Sequence, residues 1–226
     1  MDNGILYIVA TPIGNLEDIT LRALRILKEV DLIACEDTRV TRKLLDRFEI
    51  KTPTVSYFQH SKPTKINKIV GELQYGKNIA LVTDAGTPGI SDPGNLLISE
   101  CVKNKIKIVP IPGPSALTAL ASVAGIDMQK FIFMAFPPHK KGREKFFKEV
   151  VADKYPVIYY ESPHRIIKNL ELLSSLTDKK IIIGRELTKM FEEIFRGNIK
   201  EALIYFKNKD KLRGEFVIII YPNGNH

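Results

Sequence analysis

Residues 84–94 read Asp-Ala-Gly-Thr-Pro-Gly-Ile-Ser-Asp-Pro-Gly, just after the apolar run Ile79-Ala80-Leu81-Val82. A short run of that kind reads as a buried strand, and the segment leaving it is no ordinary connection. Gly86, Gly89 and Gly94 can take positive φ, whereas Pro88 and Pro93 fix theirs and donate no hydrogen bond. Such a loop holds one shape with exposed backbone, which suits a small ligand docked at the carboxyl end of a sheet strand. The plainer reading is a tight surface turn. Comparable loops elsewhere in the chain argue against it.

Working outward, further strand candidates recur at Ile5–Val9, Leu32–Cys35, Thr54–Phe58 and Ile106–Val109. Helical patterns lie between them: Ala23, Ile26, Leu27 and Val30 fall at i, i+3, i+4 and i+7, with Arg22, Arg25 and Lys28 on another face. Alternating strand and helix predicts a mostly parallel sheet covered on both sides. Beyond Pro110-Ile111-Pro112-Gly113-Pro114 the rhythm changes. A helix over 115–124 precedes strands at 131–135, 157–160, 181–184, 193–196 and 216–221, with helices only near 142–152 and 164–176. Ser162-Pro163 reads as the N-cap and first position of the latter. More strands per helix predicts a mixed sheet. The expected architecture is therefore two α/β domains, residues 1–112 and 113–226.

Composition narrows the function classes. A chain of 226 residues with 44% hydrophobic content can bury a proper core, so disorder is not expected. No stretch approaches about twenty apolar residues, which argues against a helical membrane span. The start, Met1-Asp2-Asn3-Gly4, lacks the pattern of a secretory signal. Cys35 and Cys101 stand in no metal spacing and read as reduced thiols, so a cytoplasmic location is expected and no metal. A net charge of +8 favours a polyanionic partner such as nucleic acid, although a general lysine bias would also produce it.

Each strand of the first half ends in a distinctive loop: Ala10-Thr11-Pro12-Ile13-Gly14-Asn15, with Asp18 or Thr20 able to cap the next helix; Glu36-Asp37-Thr38-Arg39; the Asp84 loop; and Pro112-Gly113-Pro114-Ser115. In a parallel sheet these ends share one edge, where ligands collect. None is a P-loop or a G-x-G-x-x-G fingerprint.

Together these loops resemble the class III, tetrapyrrole-methylase-type methyltransferases. Glu36–Arg39, Asp84–Gly94, Tyr160-Glu161-Ser162-Pro163-His164-Arg165 and Gly184-Arg185-Glu186-Leu187-Thr188-Lys189 resemble, more narrowly, a branch acting on ribosomal RNA. The resemblance spans about residues 4–221. It implies a cofactor cleft between the two domains, S-adenosyl-L-methionine as methyl donor, the 2′-hydroxyl of a cytidine in 16S rRNA of the small ribosomal subunit as acceptor, and a homodimer. Many members of that branch extend beyond the position of His226, which puts in doubt any RNA contact made by such a tail but not the cofactor site.

The resemblance assigns Pro12, Ile13, Asp84, Thr87, Ser115 and Ala116 to the cofactor, with further contacts around Ala135, Tyr160 and Glu186. Asp84 suits an amino group and a cationic ligand; its alternative is a turn cap, and Ser115 reads equally as an N-cap. A ribose hydroxyl is a poor nucleophile, so a base or a stabilising cation is expected. Glu36, Asp37 and Arg39 are the candidates, against a structural ion pair within that loop. His164, beside a helix start, reads as a capping or packing residue sooner than as a general base. Arg185, Glu186 and Lys189 read either as a contact cluster or as a solvated face. For RNA the candidates are Arg39 and Arg42 with Lys140, Lys141 and Arg143, while the interleaved Phe146 and Phe147 read as core. Two other functions fit less well. A tetrapyrrole or other small acceptor would not need a wide cationic rim, and a non-catalytic RNA-binding module would leave the convergent loops unexplained.

Overall fold

In the computed structural model, which describes residues 2–58, 63–208 and 212–223, the chain divides into two units, Met1–Ser115 and Ala116–His226. The first is built on β1 (Ile5–Val9), β2 (Leu32–Cys35), β3 (Thr54–Ser56), β4 (Ile79–Val82) and β5 (Lys107–Ile111), in the order β3-β2-β4-β1-β5 with every pairing parallel. Helices α1 (Leu21–Glu29) and α2 (Thr38–Arg47) cover one face, where Ala23, Ile26, Leu27, Leu44 and Leu45 pack on Val9, Ile33 and Val82. Helices α3 (Pro63–Gln74) and α4 (Asn95–Lys103) cover the other, through Ile69, Leu73 and Leu97 on Leu6, Ala34 and Leu81. All four residues of β4 are buried, as a strand covered on both faces requires.

The local signals act as their chemistry demands. Thr20 is the N-cap of α1 and its hydroxyl accepts from the Ala23 N–H at 3.1 Å, while Asp18 closes a short 3-10 turn over Leu16–Asp18. Thr20→Ala is expected to cost about 1 kcal/mol, read as a lower urea midpoint at unchanged slope. Strand β5 runs past the expected end at Val109 and includes Pro110. It pairs with β1 alone, and an edge strand tolerates a residue with no N–H to donate. Strand β3 is shorter than expected, ending at Ser56, though the Tyr57 N–H still reaches the Cys35 carbonyl at 2.6 Å.

The second unit opens with α5 (Ala116–Ser122) and carries β6 (Ile132–Phe133), β7 (Val157–Glu161), β8 (Lys180–Arg185), β9 (Glu193–Asn198) and β10 (Phe216–Tyr221), in the order β6-β7-β10-β8-β9. Only β6 and β7 are parallel, so the sheet is mixed. Helices α6 (Arg143–Ala152), α7 (Ile166–Leu176) and α8 (Ile199–Lys207) pack on it through Phe147, Leu170, Leu173, Ala202 and Phe206. Phe146 and Phe147 are core residues, 8% and 0% exposed. The helix α8 is absent from the sequence reading, although Asn198 and Glu201 form a complete capping box at its start. Helix α7 begins at Ile166 rather than near 164. Arg165 is its N-cap, and Ser162 contributes its carbonyl to a preceding turn, accepting from the Arg165 and Ile166 N–H groups.

Candidate active site

The strand order sets the loops after β1, β4 and β5 side by side, with the β2 loop next to that of β4. Direct bonds fasten them. Thr11 and Gly86 exchange both backbone bonds, at 2.9 and 3.1 Å, and the buried Thr11 hydroxyl donates to the Thr83 carbonyl. Thr87 Oγ1 donates to the Pro114 carbonyl at 3.2 Å, and the Asp37 N–H donates to Asp84 Oδ1 at 3.0 Å. Within the Asp84 loop Gly86 and Gly89 hold φ of +82° and +83°, the left-handed region the sequence anticipated. Ser91 also lies there, at +66°, with no side-chain signal that would have marked it. A Cβ on Gly113 would stand 3.0 Å from that of Ala10, so the β5 loop approaches β1 as closely as a glycine permits.

Pro12 and Ile13 are buried beneath this edge, Thr87 and Ser115 are half-buried, and Asp84 is exposed on it. The three acids there have different surroundings. Burial, and then the charges of Asp84 and Asp37, raise the Glu36 pKa against the lowering effect of the Asp84 amide. Partial desolvation likewise raises Asp84, although its side chain stays open to solvent, and the Asp37 N–H offsets only part of that rise. Asp37 is held down to about 2 by its bond to Arg39: Nε and Nη2 meet the two carboxylate oxygens at 3.0 and 2.6 Å. Asp37 also caps α2, accepting from the Arg39 N–H at 2.8 Å. Of the three catalytic candidates, Asp37 and Arg39 are therefore joined in an ion pair, and Glu36 is the acid whose environment favours taking up a proton.

In the second unit Ala135 (φ +53°) and Glu186 (φ +50°) both hold left-handed backbone, a conformation costly for residues with a Cβ and concentrated at functional positions. The Ala135 carbonyl accepts from the Tyr160 N–H at 2.8 Å, and the Tyr160 ring meets those of Phe133 and Phe136. Burial pushes the Glu186 carboxyl up, but Lys189 and the Glu215 amide prevail and its pKa is lowered. Arg185 pairs with Glu193, and Lys189 with Glu186 and Glu215, so this cluster is an internal network. Lys140 and Lys141 are exposed on the turn before α6, Arg143 is half-buried, and Lys145 and Lys148 face Glu149 and Glu144 on that helix.

One constellation was missed as a unit. Glu161, its side chain fully buried, accepts from the Ser162 N–H and the Asn169 amide and lies 3.3 Å from Arg165 Nε. Arg165 continues through Nη1 to the Pro137 carbonyl at 2.9 Å, joining the turn after β7 to the loop after β6. Burial raises the Glu161 pKa against these partners.

The model of the tetrapyrrole (corrin/porphyrin) methylases matches residues 5–203. The chain is 45% identical over 225 residues to the ribosomal RNA small subunit methyltransferase I of Halalkalibacterium halodurans, covering 99% of this chain and 78% of that protein. It is 44% identical over 218 residues to the protein of the same name from Thermotoga maritima, covering 96% and 98%. Among solved structures, a cobalt precorrin-4 methyltransferase superposes with a TM-score of 0.72 at 16% identity over 95% of this chain and 94% of its own. That likeness speaks for the fold.

Proposed function

Taking as premise that the chain belongs to the tetrapyrrole methylase family, we propose that it is an S-adenosylmethionine-dependent methyltransferase of ribosomal RNA, acting on the 2′-hydroxyl of a cytidine in the small subunit's 16S rRNA. The observation that carries this reading is the fastened carboxyl edge of the first unit, with Asp84 exposed on it and Glu36 half-buried beside it. The chemistry of that edge fits the donor: a carboxylate complements a sulfonium and an amino group, and glycine backbone leaves room for a close ligand. When bound, S-adenosylmethionine supplies a methyl group activated on a cationic sulfur.

In this reading Asp84 anchors the donor, while Pro12, Ile13, Thr87 and Ser115 shape its seat. Ala116, Ala135, Tyr160 and Glu186 of the second unit are further donor contacts. Glu36 accepts the proton that the ribose hydroxyl gives up. Arg39, 87% exposed at its side chain yet tied to Asp37, offers its remaining N–H groups to a phosphate, with Arg42, Lys140, Lys141 and Arg143 as further RNA contacts. A homodimer working in the cytoplasm completes the proposal.

Two measurements test it. Labelled methyl from S-adenosylmethionine is expected to appear in unmethylated small ribosomal subunits, at a ribose oxygen of cytidine. Asp84→Ala is expected to weaken donor binding at least roughly tenfold by calorimetry, through loss of a charge-assisted contact. A wild-type protein with no measurable affinity for the donor would overturn the reading. Transfer to a tetrapyrrole, with none to subunits, would replace the acceptor.

A further inference from the structure

The positive charge of this chain is not spread evenly. Helices α1 and α2, which share one face of the first sheet, carry seven cations against two acids. On the opposite face α3 and α4 carry three against two. In the second unit α6 and α8 each exceed neutrality by one, and α7 is balanced. Five of the net eight charges of the chain thus lie on one helical layer.

A lysine bias does not account for it. Ten of the 34 basic residues are arginine, and half of those ten lie on α1 and α2. Elsewhere three of the other five arginines are committed to partners within the protein: Arg165 and Arg185 pair with Glu161 and Glu193, and Arg196 donates to the Val123 carbonyl. Among the described residues, the cations of α1 and α2 that have an ion-pair partner are Arg25 and Arg39. Among the described residues no carboxylate pairs with Arg22, Lys28, Arg42, Lys43 or Arg47. Their environments differ accordingly: Arg22, Lys28, Lys43 and Arg47 are exposed, and Arg42 is half-buried.

The arrangement is directional. Arg39, Lys43 and Arg47 stand at i, i+4 and i+8, one stripe of α2 rising about 6 Å per step, opposite the buried Thr41, Leu44 and Leu45. Both helices begin at the carboxyl edge: α2 follows directly on Glu36 and Asp37, and α1 on the β1 loop. The stripe therefore leads from the candidate base down the outside of the sheet.

We infer that the outer face of α1 and α2 is the track on which the phosphate backbone of the RNA lies, with Arg22, Lys28, Lys43 and Arg47 as phosphate contacts beyond those at the mouth of the site. Repeated cations without acidic partners give affinity by releasing condensed counterions, independent of sequence. Guanidinium suits the task through its paired donors. The track rests on the proposed RNA acceptor; it adds where the substrate lies when its ribose reaches Glu36.

The test compares two triple variants of the full chain against unmethylated small ribosomal subunits. Arg22→Gln/Lys43→Gln/Arg47→Gln is expected to raise the subunit Kd tenfold or more and to flatten the plot of log K against log salt by about two to three. Its affinity for S-adenosylmethionine and its melting temperature should stay at wild-type values. Lys65→Gln/Lys68→Gln/Lys103→Gln, on the opposite face, is expected to leave subunit affinity and salt slope unchanged. Equal losses in both variants, or no loss in the first, would overturn the track. A wild-type enzyme that methylates subunits while the first variant keeps its KM and salt slope would sink the track alone. No subunit binding by the wild type would sink the RNA reading itself.

Discussion

Glu36→Gln is expected to slow methyl transfer roughly hundred- to ten-thousandfold, the range lost when a positioned general base is removed, with donor affinity unchanged within about threefold. Its amide keeps the size of the side chain but cannot take the hydroxyl proton. The pH profile supplies a second readout. Burial and the neighbouring Asp84 raise the Glu36 pKa from its ordinary value, and the base works only when ionised. Activity should therefore rise as pH climbs through that raised value, and the acidic limb should vanish in the variant. Asp37→Asn behaves differently, because the wild-type carboxylate is spent on Arg39 and the start of α2. It should weaken the loop without abolishing the acidic limb. A Glu36→Gln enzyme with near wild-type kcat removes Glu36 from the mechanism.

Arg165→Ala is expected to be the most destabilising single change considered, by about 3–5 kcal/mol, since it strands a buried carboxylate. Glu161 then keeps the Ser162 N–H, the Asn169 amide and the unbonded charge of Arg143, and the loop after β6 loses the Arg165 bond to Pro137. Replacing both partners, as in Glu161→Leu/Arg165→Met, should recover much of that loss, because a matched apolar pair leaves no charge unpaired. Urea denaturation measures both. If Arg165→Ala and the double variant unfold at the same midpoint, the cost lies in packing rather than in the stranded charge. Lost contact with Pro137 should also weaken donor binding, should Ala135 serve the donor as proposed.

Much of the framework is legible in the sequence, because it rests on short-range signals. β1, β2, β4 and β10 fall where unbroken apolar runs put them, and the alternation of strand and helix fixed which sheet was parallel. Elements shaped by partners were less legible. Pro110 reads as a stop until β5 is known to be an edge, and the capping box of α8 sits where a strand runs straight into a helix. At the carboxyl edge, residue types could nominate Glu36, Asp37 and Arg39 together. Only geometry separates them, by spending Asp37 on Arg39. The Glu161 network joins residues up to 28 apart, a separation at which single-sequence patterning is silent. The cationic layer was visible residue by residue, yet it became one surface only once α1 and α2 shared a face.

The bonds between Thr11 and Gly86, and the approach of Gly113 to Ala10, use main chain and missing side chains. Few functional groups specify that junction, so polar substitutions nearby should be absorbed easily, while the addition of a single methyl would not. A lineage drifting toward a new acceptor could thus rewrite the rim around this edge and still inherit its donor-facing shape, provided the glycines stay.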